Sequence, residues 1–215
     1  MNLLKKLLAP CVLCLLALPV SAQNILVVGD SISAAFGLEI EQGWVYLLQE
    51  RLKEKGYPHT VVNASVSGDT TAGGLARLPR LLEQHEPALV VIELGGNDGL
   101  RGMPPSNMQQ NLSRKVELST EAGADALLLG MMIPPNYGVR YTEAFNQAFV
   151  NVAEKWSIPL LPFLLEGVGD VPTLMQADRI HPTAEAQPIL LENAWPLIEE
   201  WLQSQTESHP RNAGR

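Results

Sequence analysis

Five short runs of apolar residues recur along the chain, and each is followed by glycine or polar residues. The runs are apolar throughout instead of alternating, which is typical of parallel strands covered on both faces. Parallel neighbours need long crossover connections, so helices should lie between the strands. We predict the five strands at residues 24–29, 59–64, 88–94, 124–130 and 160–163.

Segments with helical spacing of apolar residues separate these runs, as expected for amphipathic helices. We predict helices at residues 44–55, 74–85, 107–122, 142–156 and 183–203. No linker or internal repeat interrupts the alternation of strand and helix. The sequence therefore predicts one α/β domain at residues 23–205, a doubly wound sheet in three α/β/α layers. Residues 206–215 are polar and are predicted to form a disordered tail.

The first 22 residues have the layout of a secretory signal peptide. Lys5 and Lys6 form a basic start, an apolar run covers residues 7–20, and small residues precede the expected cleavage after Ala22. Cleavage there would leave residues 23–215. The protein is then predicted to be exported to the periplasm, or beyond it, with no stable membrane span.

Two other interpretations of this segment stay open. A transmembrane anchor would need about 20 apolar residues, whereas this run is shorter and contains Pro10 and Pro19. Lipidation would use Cys11 or Cys14, but neither follows the small residue that a lipobox requires. Because these are the two cysteines of the chain, the exported protein would have no disulfide, thiol nucleophile or thiolate metal site.

The charge balance argues against a nucleic-acid partner. The formal net charge is −8, and removal of Lys5 and Lys6 takes it to −10. No basic stripe is present, whereas phosphate contacts require one. The expected partner is a small-molecule or lipid-like substrate, and the expected oligomeric state is a monomer.

Small, polar and titratable residues follow the predicted strands. In a doubly wound sheet the carboxyl ends of the strands meet at one edge, where the ligand crevice lies. The segments that follow the five strands are residues 29–31, 65–70, 95–99, 133–137 and 178–182. The sequence therefore predicts a functional site along this edge.

Ser31 and His181 are the candidates for nucleophile and base. Serine needs a neighbouring base to become a strong nucleophile, and His181 is the histidine that lies on the strand-end side. Asp178, three residues earlier, can hold the imidazole so that its Nε2 faces a serine. The alternatives are that Asp178 only caps a surface turn and that Ser31 is only a helix N-cap. If Ser31 begins the next helix, its backbone N–H points into the site.

Three hydrogen-bond donors could stabilise an oxyanion in this crevice. They are the backbone N–H of Ser31, the backbone N–H of Gly68 and the side-chain amide of Asn97. Gly68 has no side chain to shield its peptide group. Glycine and asparagine are also common in simple turns, which is the alternative interpretation.

These residues together match a known family. Gly29-Asp30-Ser31, Gly68, Gly95-Gly96-Asn97-Asp98 and Asp178 with His181-Pro182 resemble, in order, the four sequence blocks of SGNH (GDS-motif) hydrolases. The resemblance covers residues 23–205, and residues 133–138 and 181–187 are similar to its exported bacterial acyl-thioesterase, lysophospholipase and arylesterase branch. Ile32 departs from the leucine that is common in the motif.

The resemblance implies a flavodoxin-like SGNH fold with a five-stranded parallel sheet. It also implies a catalytic triad of Ser31, Asp178 and His181 and an oxyanion hole of Ser31, Gly68 and Asn97. No histidine pair has the spacing of metal ligands, and we expect neither a metal nor a cofactor.

The predicted reaction is hydrolysis of carboxylic esters or thioesters through an acyl-enzyme. A carbohydrate acetylesterase on the same fold is the alternative within enzymes, and a non-catalytic periplasmic binding domain is the alternative outside them. The apolar residues that follow the third and fourth strands could line an acyl groove or only pack their loops. They are Leu100, Met103, Ile133, Pro134, Pro135 and Tyr137.

Overall fold

The structure is a computed structural model, and it describes residues 23–208. A single sheet of five strands has the order β2-β1-β3-β4-β5, and every neighbouring pair is parallel. The strands are β1 (Asn24–Gly29), β2 (Thr60–Asn63), β3 (Pro87–Glu93), β4 (Asp125–Leu129) and β5 (Leu160–Leu161). The predicted five-stranded parallel sheet is confirmed, and β5 is reduced to two residues.

Six α-helices accompany the sheet within residues 23–208. They are α1 (Trp44–Glu54), α2 (Thr71–His85), α3 (Gly96–Leu100), α4 (Pro105–Glu121), α5 (Val139–Trp156) and α6 (Gln187–Ser208). Helix α1 packs against α6, whereas α4 packs against both α2 and α5. The sheet flanked by helices confirms the predicted α/β architecture.

Several helix boundaries differ from the prediction. Helices α2 and α5 begin at Thr71 and Val139, each three residues early, and α4 begins at Pro105, two residues early. The last helix begins at Gln187 after a short 3₁₀ turn at Ala184–Ala186, and it continues to Ser208 within the segment predicted as a tail. The predicted signal peptide (1–22) and residues 209–215 lie outside the described part of the chain. Within residues 23–208, no helix combines the length and apolar character needed to cross a bilayer.

The central strands explain why the apolar runs do not alternate. Every residue of β1 from Ile25 to Gly29 is buried, and so are five consecutive residues at the end of β3. Helices cover both faces of these strands, so side chains on either side of the pleat must be apolar. The hydrophobic core is therefore continuous through the sheet.

The strand order reverses direction between β1 and β3. From β1 the chain first forms β2 on one side and then crosses to form β3 on the other side. The two connections leave the sheet in opposite directions, which opens a crevice at the carboxyl ends of β1 and β3. Ser31 follows β1 and Asn97 follows β3, so the topology brings both residues to this crevice.

A lysine is fully buried beside this crevice. The side chain of Lys115, on α4, has 0% relative exposure, and its Nζ donates a hydrogen bond to the carbonyl of Thr71 at 2.6 Å. Burial lowers the pKa of Lys115 from 10.5 to about 7, although the charges of Asp98 and Asp69 act in the opposite direction. Protonation of the buried Lys115 amine therefore lowers the stability of the folded protein.

Replacement of this amine should change how stability depends on pH. In the unfolded chain Lys115 keeps its proton to about pH 10.5, whereas in the folded protein it loses it near pH 7. Between these values the unfolded state binds more protons, so the free energy of unfolding should rise with pH. Relative to Lys115→Met, the wild type should gain up to about 1.4 kcal/mol per pH unit in this window.

Urea denaturation of both proteins at pH 7, 8, 9 and 10 measures this difference. The matched control is Lys53→Met, because the Lys53 side chain is 76% exposed and its removal should leave the slope unchanged. If the difference in unfolding free energy between wild type and Lys115→Met were the same at all four pH values, the folded protein would not release a proton from Lys115 near pH 7, and the prediction would be wrong.

Candidate active site

The structure brings Ser31, His181 and Asp178 into one hydrogen-bonded line. Ser31 Oγ lies 2.9 Å from His181 Nε2, and His181 Nδ1 lies 2.7 Å from Asp178 Oδ2. This is the geometry in which the carboxylate orients the imidazole and the free nitrogen accepts the serine proton. The spacing of Asp178 and His181 had predicted this contact, and the structure forms it.

The second oxygen of Asp178 organises its own turn. Asp178 Oδ1 accepts hydrogen bonds from the backbone N–H groups of Ile180 at 2.9 Å and His181 at 3.1 Å. The hydrogen bond from His181 and those backbone donors lower the pKa of Asp178 to about 2. The carboxylate therefore stays ionised at neutral pH, although it is partly open to solvent.

Ser31 does not begin a helix. Residues 31–37 form consecutive turns, in which Ala34 N–H donates to the Asp30 carbonyl and Phe36 N–H donates to the Ser31 carbonyl. Ala35 has a positive φ of 57°, which regular helix does not allow. Within residues 23–208, the Ser31 N–H donates to no acceptor, so it is available to a ligand.

Gly68 and Asn97 face the same cavity as Ser31. Gly68 has a φ of +79°, a conformation that favours glycine, and its N–H also meets no acceptor within residues 23–208. Asn97 lies in the short helix α3, and its side-chain amide donates to Asp30 Oδ2 at 3.1 Å. That contact uses one amide hydrogen and leaves the other for the cavity.

Two buried carboxylates lie beneath these residues, and the sequence reasoning missed their role. Asp30 Oδ1 accepts from the Ile32 N–H at 3.0 Å, while Glu93 Oε2 accepts from Ser33 Oγ at 2.7 Å and from the Asp30 N–H at 3.3 Å. Burial raises the pKa of Asp30 to about 6. Burial and then the charge of Asp30 raise the pKa of Glu93 well above its usual value. The sequence does contain a signal for this site, because Glu93 is a glutamate at the end of an otherwise apolar strand.

Asp98 links α3, which carries Asn97, to the start of α2, which follows the loop that carries Gly68. It is 1% exposed and accepts hydrogen bonds from both the backbone N–H and the hydroxyl of Thr71, the first residue of α2. These hydrogen bonds fix the N-terminus of α2 to α3. They therefore also fix the loop of Gly68, which precedes α2, relative to Asn97.

A cavity of about 730 Å³ opens over these groups and is mostly apolar. Leu100, Ile133, Pro134 and Pro135 line it, which is one of the two alternatives that the sequence left open for them. Met103 and Tyr137 do not line it; the Tyr137 hydroxyl instead donates to the Leu100 carbonyl at 2.8 Å. The apolar lining that the sequence did not indicate comprises Ile32, Phe36, Met131, Met132, Phe163, Leu165, Met175 and Ile180. Within residues 23–208, no three side chains of the His, Cys, Asp and Glu types are grouped to hold a metal ion.

Comparison with known proteins gives consistent matches. The sequence profile of the GDSL-like Lipase/Acylhydrolase family matches residues 27–188. Esterase TesA of Pseudomonas aeruginosa is 60% identical over 88% of this chain and 94% of its own. The arylesterase of Vibrio mimicus is 47% identical over 83% and 90%. The thioesterase 1/protease 1/lysophospholipase L1 of Escherichia coli is 42% identical over 87% and 85%.

A solved structure agrees with these sequence matches. The psychrotrophic esterase EstA from Pseudoalteromonas sp., inhibited by monoethylphosphonate, is 43% identical and superposes with a TM-score of 0.81. The match covers 84% of this chain and 99% of that one. The likeness therefore extends over the whole described domain.

Removal of the Asp98 carboxylate should destabilise the protein. Asp98→Ala leaves the buried N–H and hydroxyl of Thr71 without this acceptor, and an unsatisfied buried group costs about 1–3 kcal/mol. Urea denaturation at pH 7 measures the change. Asp170→Ala is the matched control, since Asp170 is exposed and its loss should change stability by less than about 0.5 kcal/mol. Equal stabilities of the two variants would contradict the linking role of Asp98.

Proposed function

The chain belongs to the GDSL-like lipase/acylhydrolase family and is an ester hydrolase, and from this premise we propose that it cleaves carboxylic esters and thioesters through an acyl-enzyme on Ser31. The observation that carries the proposal is the line of contacts from Ser31 Oγ to His181 Nε2 and from His181 Nδ1 to Asp178. Each of the three groups is at hydrogen-bond distance from the next, as nucleophile, base and orienting carboxylate must be.

In the first half of the reaction His181 Nε2 takes the Ser31 proton as Oγ attacks the substrate carbonyl. Collapse of the tetrahedral intermediate breaks the bond to the leaving alcohol or thiol, and His181 returns its proton to that group. A water then repeats the sequence on the acyl-serine and releases the carboxylic acid. Asp178 stays ionised and stabilises the imidazolium that forms twice in the cycle.

The negative oxygen of each tetrahedral intermediate needs donors that are already in place. The N–H groups of Ser31 and Gly68 and the second amide hydrogen of Asn97 fit this role, because they line one cavity with the nucleophile. The Asn97 amide is held by Asp30, so it does not have to reorient during the reaction.

An acyl chain is the substrate group that suits the cavity. Its lining is dominated by aliphatic, methionine and phenylalanine side chains, and burial of a chain there is favourable by about 0.8 kcal/mol per methylene. The names of the relatives, which include esterase, arylesterase, thioesterase and lysophospholipase, support acyl esters and thioesters as the substrate class for this chain.

We also propose that the enzyme works outside the cytoplasm, in the periplasm. The support is the basic start, the apolar run at residues 7–20 and the small residues before Ala22, which together form a signal-peptide pattern. Ester and lipid-like substrates are then more accessible to it than cytoplasmic acyl carriers.

Replacement of the nucleophile tests the mechanism directly. Hydrolysis of p-nitrophenyl esters from acetyl to palmitoyl by residues 23–215 should fall at least a thousandfold in Ser31→Ala, since the covalent route is lost. A fluorophosphonate should label the wild type and not the variant. Activity that extends beyond acetyl would fit the apolar cavity, whereas activity confined to acetyl esters would indicate an acetylesterase.

Ser106→Ala provides the matched control, because Ser106 is exposed on α4 and its removal should leave both turnover and labelling unchanged. Undiminished turnover in Ser31→Ala would overturn the acyl-enzyme proposal.

The oxyanion donor on α3 can be tested by Asn97→Ala. Loss of one such donor typically lowers kcat about 100- to 1,000-fold, and KM should change little because the interaction strengthens in the transition state. Steady-state kinetics with the best ester of the series measures both constants. Asn107→Ala, on the exposed face of α4, serves as the control. Near-normal kcat in Asn97→Ala would remove Asn97 from the oxyanion hole.

A further inference from the structure

The base and the nucleophile lie on segments that are far apart in the chain. His181 and Ser31 are 150 residues apart, and His181 lies in an irregular loop at residues 175–182, between a 3₁₀ turn and the last helices. Asp178 in this loop is exposed. A contact of 2.9 Å between Ser31 Oγ and His181 Nε2 therefore requires something that fixes the loop relative to the turn after β1.

Gln176 closes this loop from within. Its backbone N–H donates to the carbonyl of His181 at 2.7 Å, and its own carbonyl accepts from the N–H of Arg179 at 2.9 Å. Its side-chain Nε2 donates to the carbonyl of Pro182 at 3.0 Å. The backbone closes the same segment through an antiparallel bridge between Met175 and Pro182, in which the Thr183 N–H donates to the Leu174 carbonyl at 2.8 Å. The Gln176 side chain adds a further contact across this bridge.

The same side chain also reaches the segment that carries the nucleophile. Gln176 Nε2 donates its second hydrogen to the carbonyl of Phe36 at 2.8 Å, and the N–H of Phe36 donates to the carbonyl of Ser31. The Phe36 ring packs on the His181 ring with centroids 4.4 Å apart. Gln176 is therefore bonded on one side to the histidine loop and on the other to the serine turn.

The Gln176 carboxamide lies directly against Gly37. A Cβ placed on Gly37 would lie 2.5 Å from Gln176 Oε1, and Gly37 has a φ of +77°. Any larger residue at position 37 would both strain the backbone and displace the amide. The turn after the nucleophile is thus shaped to receive the Gln176 side chain.

We propose that Gln176 is a positioning residue, whose two side-chain hydrogen bonds hold His181 in line with Ser31. This inference rests on the proposed function, in which His181 takes the proton of Ser31. Gln176 does not line the cavity and acts through the base, so its loss should affect the chemical step more than substrate binding. A misplacement of about 1 Å can lower a rate about 100-fold.

The test is Gln176→Met, which keeps the length of the side chain and removes both donated hydrogen bonds without adding charge. Active sites are counted by end-point fluorophosphonate labelling, and kcat is taken from the pH-independent plateau and expressed per labelled site. We expect kcat to fall about 10- to 100-fold, with KM within about twofold of wild type and a similar melting temperature. Gln147→Met is the control, since Gln147 is exposed on α5 and bonds only within its helix to Asn151.

A merely structural role would give a different result. It would lower the melting temperature or the labelled fraction while kcat per labelled site stayed within about twofold of wild type, and that outcome would overturn the proposal. A failure of the proposed function is separately visible, because it would appear as full turnover in Ser31→Ala whatever the behaviour of Gln176→Met.

Discussion

The parallel pairing of β1 with β3 is the constraint on which the rest of the site depends. Their register places Gly29 opposite Glu93, so the turns that carry Ser31 and Asn97 leave the sheet side by side. A Cβ on Gly29 would lie 2.7 Å from Glu93 Oε2, and position 29 must therefore be glycine for the buried carboxylate to fit. That carboxylate then accepts from Ser33 and from the Asp30 N–H, which fixes the turn immediately around the nucleophile.

The two halves of the proposed catalytic apparatus are supported in different ways. The nucleophile and the Asn97 donor rest on buried groups at strand ends, where Glu93 and Asp98 have almost no exposed surface. His181, the proposed base, lies on an exposed loop that the Met175–Pro182 bridge closes, and the side chains of Asp178 and Gln176 add further hydrogen bonds there. Preorganisation of the oxyanion donors is thus a property of the core, whereas alignment of the base depends on a few polar contacts near solvent.

The sequence predicted the strands and the contact between Asp178 and His181 because both leave local signals. Continuous apolar runs indicate burial on both faces of a strand, and the three-residue spacing of Asp178 and His181 indicates a turn. Other features depend on contacts between distant segments. Gly73 and Gly74 argue against an early start for α2, yet Thr70 caps this helix and Asp98 accepts from Thr71. The Ser31 turn likewise follows from Glu93 and Asn63, whose side chains bond Ser33, and no local pattern encodes those partners.

The carboxylates of the site are separated by environment into two kinds. Asp178 is held ionised by its hydrogen bonds, and this suits a group that must stabilise an imidazolium. Asp30 and Glu93 are buried close together, and two negative charges there would repel each other as well as the oxyanion above them. Burial and the charge of Asp30 raise the pKa of Glu93 and so favour its protonated form, which reduces the repulsion between the two groups. Asp30 accepts one hydrogen of the Asn97 amide, and in the proposed mechanism this contact directs the other hydrogen towards the developing oxyanion.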